Sequence, residues 1–181
     1  MNKVLKEILS TGLYLLAVLI ITFLLITFVG QRTEVIGNSM QPTLNDKDNL
    51  IVDKLSYRLR DPERFDIIVF PFVYKESTYY IKRIIGLPGE TIQIMEDGSI
   101  YINGELLEES YGMEIIKENL RGRAKDPITL GEDEYFVMGD NRNNSSDSRV
   151  AEVGNIKRNQ IIGRAWMRIW PFKDMEMIRH K

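Results

Sequence analysis

Residues 8–29 form an uncharged run of 22 residues, and no other feature constrains this chain as strongly. Seventeen of them are apolar or aromatic, interrupted by Ser10, Thr11, Gly12, Thr22 and Thr27. A helix rises about 1.5 Å per residue, so such a run spans the roughly 30 Å hydrocarbon core of a bilayer. The run is apolar all round rather than on one face, unlike a helix packed on a soluble core. A cleaved leader is the alternative, with Thr27 and Gly30 as a weak small-residue pair, but the run exceeds the about 7–15 apolar residues usual there. Lys3 and Lys6 precede the run, and Arg32 follows it with Glu34 close by. This positive bias predicts a single-pass cell-membrane protein: residues 1–7 cytoplasmic, 8–29 the anchor, 30–181 extracytoplasmic.

After the anchor the pattern changes to short runs rich in Ile, Val, Tyr and Phe. Strands are predicted at 49–52, 66–70, 79–85, 91–95, 99–102, 135–138 and 160–169, separated by turn signals at Pro88-Gly89, Asp97-Gly98 and Asn103-Gly104. The fold class is therefore mainly β, an antiparallel sheet domain behind one transmembrane helix. A more polar stretch near 105–130 reads as a variable insertion, either irregular or holding a short helix at 114–120. A body of roughly 150 residues buries a sizeable core without disulfides.

Composition excludes several chemistries. There is no cysteine, hence no disulfide, thiolate metal site or cysteine nucleophile. The single histidine, His180, is next to the last residue, where chains fray. Serine–histidine–aspartate and histidine-rich zinc sites are therefore ruled out, and no metal or other cofactor is expected. The net charge is −2 with lysines and arginines scattered, so nucleic acid is not an expected partner.

Three segments have the residues a hydrolase would need. In Gly37-Asn38-Ser39-Met40-Gln41-Pro42-Thr43, Gly37 permits unusual backbone angles and Pro42 fixes one, so Ser39 can present both its hydroxyl and its N–H. The alternative is a plain turn leading into a strand. In Tyr79–Gly86, strand alternation puts Tyr80, Lys82 and Ile84 on one face and Ile81, Arg83 and Ile85 on the other. A lysine buried among apolar groups can have its pKa lowered by up to about 3–5 and become a usable base. The alternative is an edge-strand lysine that snorkels into water. The eleven residues from Gly139 to Arg149 are all glycine or polar, a loop able to orient a neighbouring base or simply a solvated surface loop. A calcium loop fits poorly, because Asn144 occupies the position where that loop needs glycine. Ser-x-x-Lys does not occur in the chain, so a lysine base must come from a distant segment.

In this order the motifs resemble those of the bacterial type I signal peptidase family. Ser39-Met40-Gln41-Pro42-Thr43 is similar to its nucleophile box, and Asp48–Lys54 to its next strand. Tyr80-Ile81-Lys82-Arg83-Ile84-Ile85-Gly86-Leu87-Pro88-Gly89-Glu90 resembles the box that carries its lysine. Gly139-Asp140-Asn141-Arg142, Asn144-Ser145 and Asp147-Ser148-Arg149 resemble its last box, and Ile162-Gly163-Arg164-Ala165 with Trp170-Pro171 its ending. The resemblance implies a membrane-bound serine endopeptidase that removes signal peptides from secreted preproteins, cutting after Ala-x-Ala-like sites.

It also implies roles. Ser39 is the nucleophile, Lys82 the general base, and Ser145 a hydrogen-bond partner of the Lys82 amine. Gly139, Asp147, Arg149 and Arg83 support them, the last three as one polar cluster. Val35, Ile36, Gly37, Tyr80 and Ile81 contact the substrate. Gly37 stands where some members have a serine that donates to the oxyanion; with the short middle insertion, this resembles the Gram-positive type. A monomer is expected, with Phe70-Pro71-Phe72, Trp166-Met167, Trp170 and Phe172 near the lipid, or, for Trp166 and Trp170, in the core. Two other readings are a self-cleaving repressor relative, which would need a DNA-binding domain, and an anchored binding module that kept the fold but not the activity.

Overall fold

Alternating β-branched and aromatic residues between tight turns leave this chain few options besides antiparallel pairing. The computed structural model describes residues 3–24, 30–75 and 77–179. A helix, α1, runs Lys3–Leu24, and its stretch Lys6–Leu24 is long and apolar enough to cross a membrane. Residues 25–29, the end of the expected span, and His180 lie outside the described residues.

All seven expected strands are present, with ends shifted by three residues at most. In chain order the strands are β1 (Gly30–Glu34), β2 (Asn49–Asp53), β3 (Ile67–Pro71), β4 (Tyr79–Gly86), β5 (Thr91–Ile94), β6 (Ile100–Ile102), β7 (Glu105–Leu106), β8 (Ile128–Thr129), β9 (Glu134–Met138), β10 (Ile156–Lys157), β11 (Gly163–Trp170) and β12 (Glu176–Met177). A single turn of helix, α2, covers Ser56–Leu59. The expected strand 160–169 starts late because Arg158–Gln160 forms a 3-10 turn, in which the Lys157 N–H donates to Gln160 Oε1. The short helix considered for 114–120 is reduced to a 3-10 turn at Glu118–Leu120, followed by another at Gly122–Lys125.

The larger sheet has the order β1-β2-β11-β3-β4-β9-β10, with β12 added beside β11; a smaller sheet has the order β7-β6-β5-β8. Every pairing is antiparallel. Between β6 and β7, Asn103 and Gly104 both have positive φ (53° and 84°), the geometry a two-residue hairpin turn requires.

The alternation expected along β4 separates the core. Tyr80 and Ile84 pack with Ile68, Phe70 and Val137, while Ile81 packs with Val35, Met40 and Ile67. Ile85 joins a third cluster with Ile92, Phe136 and Met138 under the smaller sheet. At Arg83 strand β4 has partners on both sides, Ile67 of β3 and Met138 of β9, and from Ile84 to Gly86 it continues along β9. Among the described residues, its first half pairs only with β3, and β1 pairs only with β2.

Candidate active site

Met40 and Leu44 are completely buried and anchor a turn in which Gln41 N–H donates to Asn38 O and Leu44 N–H to Met40 O. That anchoring leaves the Ser39 side chain, just ahead of Met40, only half-buried. On the approach, Gly37 has φ +91°, and its N–H donates to Asp46 Oδ1 at 2.7 Å. Such a φ favours glycine over any residue with a Cβ.

Lys82 lies on β4 opposite Ile68 and is 4% exposed. Its Nζ is 2.7 Å from Ser39 Oγ and 2.9 Å from the Ile81 carbonyl oxygen. As the ammonium it donates to both; as the amine it accepts the Ser39 proton. Burial disfavours the charged form and brings its pKa down to about 8, partly opposed by the negative charges of Asp147 and Asp140. An amine in this state takes a proton from a hydroxyl near neutral pH.

The loop after β9 holds this pair from behind. Asn141 N–H donates to Ser39 O at 3.1 Å, and Asn141 Nδ2 donates to Asn38 O at 3.1 Å. Gly139 N–H donates to Asp147 Oδ2 at 3.0 Å, and Arg149 pairs with both Asp147 oxygens at 2.8 Å. A Cβ on Gly139 would stand 2.3 Å from both Ser39 O and Ser145 Oγ, so no larger residue fits.

Two expectations need correcting. Ser145 Oγ is buried above Gly139 but, among the described residues, makes no hydrogen bond, to Lys82 or to any other group. The polar cluster is also two separate pairs. Arg83, on the other face of β4 from Lys82, turns away from Asp147 and donates to Asp140 at 2.8 and 2.6 Å, with Thr43 Oγ1 on the same carboxylate. Asp140, Thr43 and Asn141 were all within the quoted motifs, yet no spacing tells which carboxylate meets which arginine.

A cleft of about 530 Å³ ends at Ser39 and Lys82. Val35, Ile36, Tyr80 and Ile81 line it, together with Ser146, which was not among the expected substrate contacts. Gly37 does not line it, because its turn directs the backbone toward Asp46. Val35 uses its N–H and carbonyl on the β2 side, with Asp48 and Lys47. Alternation therefore points the main-chain groups of Glu34 and Ile36 away from β2. Among the described residues, no three His, Asp or Glu side chains gather as metal ligands would.

This arrangement occurs in a chain whose residues 8–170 match the family described as signal peptidase, peptidase S26. The chain belongs to that family. It is 41% identical over 150 residues to the probable signal peptidase I-2 of Synechocystis sp., covering 80% of this chain and 65% of that one. It is 43% identical over 155 residues to signal peptidase I of Bacillus caldolyticus, covering 81% and 82%. With signal peptidase I P of Bacillus subtilis subsp. natto it shares 39% over 172 residues, covering 92% and 89%. The Bacillus matches agree with the Gram-positive character of the motifs.

Of the aromatics expected near the lipid, Phe70 is instead buried in the core with Ile68 and Val137 at 1% exposure, while those around the end of β11 are at the surface. Trp166, Trp170 and Phe172 are 39%, 49% and 70% exposed, and Trp170 meets Phe172 edge-on at 4.8 Å. Phe72 instead stacks on Tyr80, with ring centroids 4.7 Å apart and planes within 3° of parallel.

Proposed function

We propose that the chain is a membrane-bound serine endopeptidase that removes signal peptides from exported preproteins by a serine–lysine mechanism. The observation that carries this reading is the 2.7 Å contact between Ser39 Oγ and a buried Lys82 of lowered pKa, at the end of a cleft between two open strand edges.

The precursor lies extended in the cleft and pairs with the outward main-chain groups near Glu34 and Ile36. The apolar walls at Val35, Tyr80 and Ile81 accept small side chains at the first and third positions before the cut, hence Ala-x-Ala-like sites. Ser39 Oγ attacks the scissile carbonyl carbon and its proton passes to Lys82. Lys82 then protonates the departing amine as the C–N bond breaks, leaving an ester on Ser39. A water loses its proton to Lys82, attacks the ester and releases the signal peptide; Lys82 returns the proton to Ser39. The Ser39 N–H supplies one donor to the oxyanion; the Gly37 N–H is already engaged by Asp46.

The anchor at residues 8–29 places residues 1–7 in the cytoplasm and the body outside, where the cleavage site emerges. The enzyme acts as a monomer at the lipid surface. The test is to incubate the detergent-solubilised chain with a preprotein beside Ser39→Ala and Lys82→Met, and to map products by mass spectrometry. Cleavage after an Ala-x-Ala-like site, lost in both variants, supports the reading. Undiminished cleavage in either variant refutes the assignment of its residue.

A further inference from the structure

The polar stretch after β7, which reads as a variable insertion, lies across the back of the loop that holds Ser39. Glu109 forms a two-pronged pair with Arg142, contacting both Nη1 and Nη2, the second at 2.6 Å. The two side chains are 12% and 3% exposed. Arg142 in turn donates from Nε to the Gly139 carbonyl at 3.1 Å. Gly139 is the residue over which Ser39 O and Ser145 Oγ close. The path from Glu109 to the Ser39 main chain thus runs through one side chain and one glycine.

The same stretch grips the loop elsewhere. Met113 N–H donates to Asp140 O at 2.9 Å, and Lys117 N–H to Asn143 Oδ1 at 2.9 Å. The Tyr111 ring lies under the Arg83 guanidinium at 3.7 Å, backing the Arg83–Asp140 pair. None of these residues lines the substrate cleft.

We propose that Glu109 is a positioning residue: through Arg142 and Gly139 it fixes the Ser39 backbone relative to Lys82, and it sets turnover without touching substrate. This rests on the reading of Ser39 and Lys82 as the reacting pair. A paired, nearly buried carboxylate holds a bidentate arginine in one geometry, and a freed Arg142 no longer holds Gly139 from behind. Misplacing a reacting group by about 1 Å costs up to about a hundredfold in rate.

The test uses the full chain in detergent with a preprotein, and compares kcat, KM and thermal midpoint for wild type, Glu109→Ala, Glu109→Gln and Ser39→Ala. Glu109→Gln keeps the shape and one hydrogen bond, so it guards against misfolding of the alanine variant. The expected result is a fall in kcat of about tenfold in Glu109→Gln, with KM within about twofold of wild type. Arg142→Lys keeps the charge but cannot serve Glu109 and Gly139 together; it should show a similar fall, and the double variant no further one. Unchanged kcat in folded Glu109→Gln overturns the proposal, as does a loss that appears in KM or follows the thermal midpoint alone. Retained cleavage by Ser39→Ala overturns the active-site reading and this inference with it. An inactive Ser39→Ala beside a Glu109→Gln of wild-type kcat overturns this inference alone.

Discussion

The Lys82 amine lies 2.7 Å from the Ser39 hydroxyl, although the two are 43 positions apart in the chain. A strand interior supplies the base and an anchored turn supplies the hydroxyl, so neither has to be ordered when substrate arrives. With Lys82 at about 8, roughly a tenth of the enzyme holds a neutral amine at pH 7. A plot of log kcat/KM against pH should therefore rise with unit slope and level off near pH 8. A flat profile between pH 6 and 8 would exclude Lys82 as the base.

The same burial makes a statement about stability. The pKa of Lys82 falls from 10.5 in the unfolded chain to about 8 in the folded one, so between these values the unfolded chain binds more protons. The penalty, about 3 kcal/mol by this reasoning, is in full force below about pH 8 and fades as pH rises toward 10.5. Lys82→Met should melt above wild type at pH 7, by a margin that narrows at pH 10. A margin that is independent of pH would mean that the ammonium is not what the fold opposes.

Gly139 admits no side chain. An alanine methyl would overlap the Ser39 carbonyl oxygen and the Ser145 hydroxyl, both at 2.3 Å, and the first of these is backbone that also accepts from Asn141. Relief must come from moving Ser39 or the loop. Gly139→Ala should lower kcat at least about a hundredfold. Near-wild-type turnover would show that the loop can shift without disturbing the pair.

Asp140 and Arg83 are 0% and 2% exposed in their side chains, whereas in the Arg158–Asp61 pair the aspartate is 88% exposed. Removing one partner of a buried pair leaves an uncompensated charge, costing about 3–5 kcal/mol. Asp140→Ala should lose that much stability in denaturant titration, and Asp61→Ala less than about 1 kcal/mol. Similar losses in both would contradict the difference in burial.

How much of this was legible beforehand depended on the period of the pattern. Strands such as β4 announce themselves because alternating or continuous apolar residues have one stable use in a sheet. β1 does not: Gly-Gln-Arg-Thr-Glu has no apolar period, and it becomes a strand only because β2 offers it an edge. The motif residues Ser39 and Lys82 were readable as types, and strand alternation separated Lys82 from Arg83. Their pairing came from the resemblance of the motifs; which carboxylates the arginines would meet was not readable. Arg83 choosing Asp140 over Asp147, and Glu109 reaching Arg142, are set by how the chain crosses over, and local spacing has no information on that.

The chain has only two tryptophans, Trp166 and Trp170, both exposed on β11. Indole rings favour the membrane–water boundary, where an apolar face and a polar N–H are both satisfied. Water alone gives the exposed Trp170–Phe172 pair no reason to be apolar, but a lipid surface does. In vesicles that contain lipids brominated on the acyl chain, the emission of the reconstituted full chain should be quenched. Trp170→Phe should leave the remaining signal to Trp166, and Trp166→Phe to Trp170. Quenching of both single-tryptophan variants would put this end of β11 at the bilayer. Emission untouched by bromine in either variant would mean that the body stands clear of the membrane and meets it only through α1.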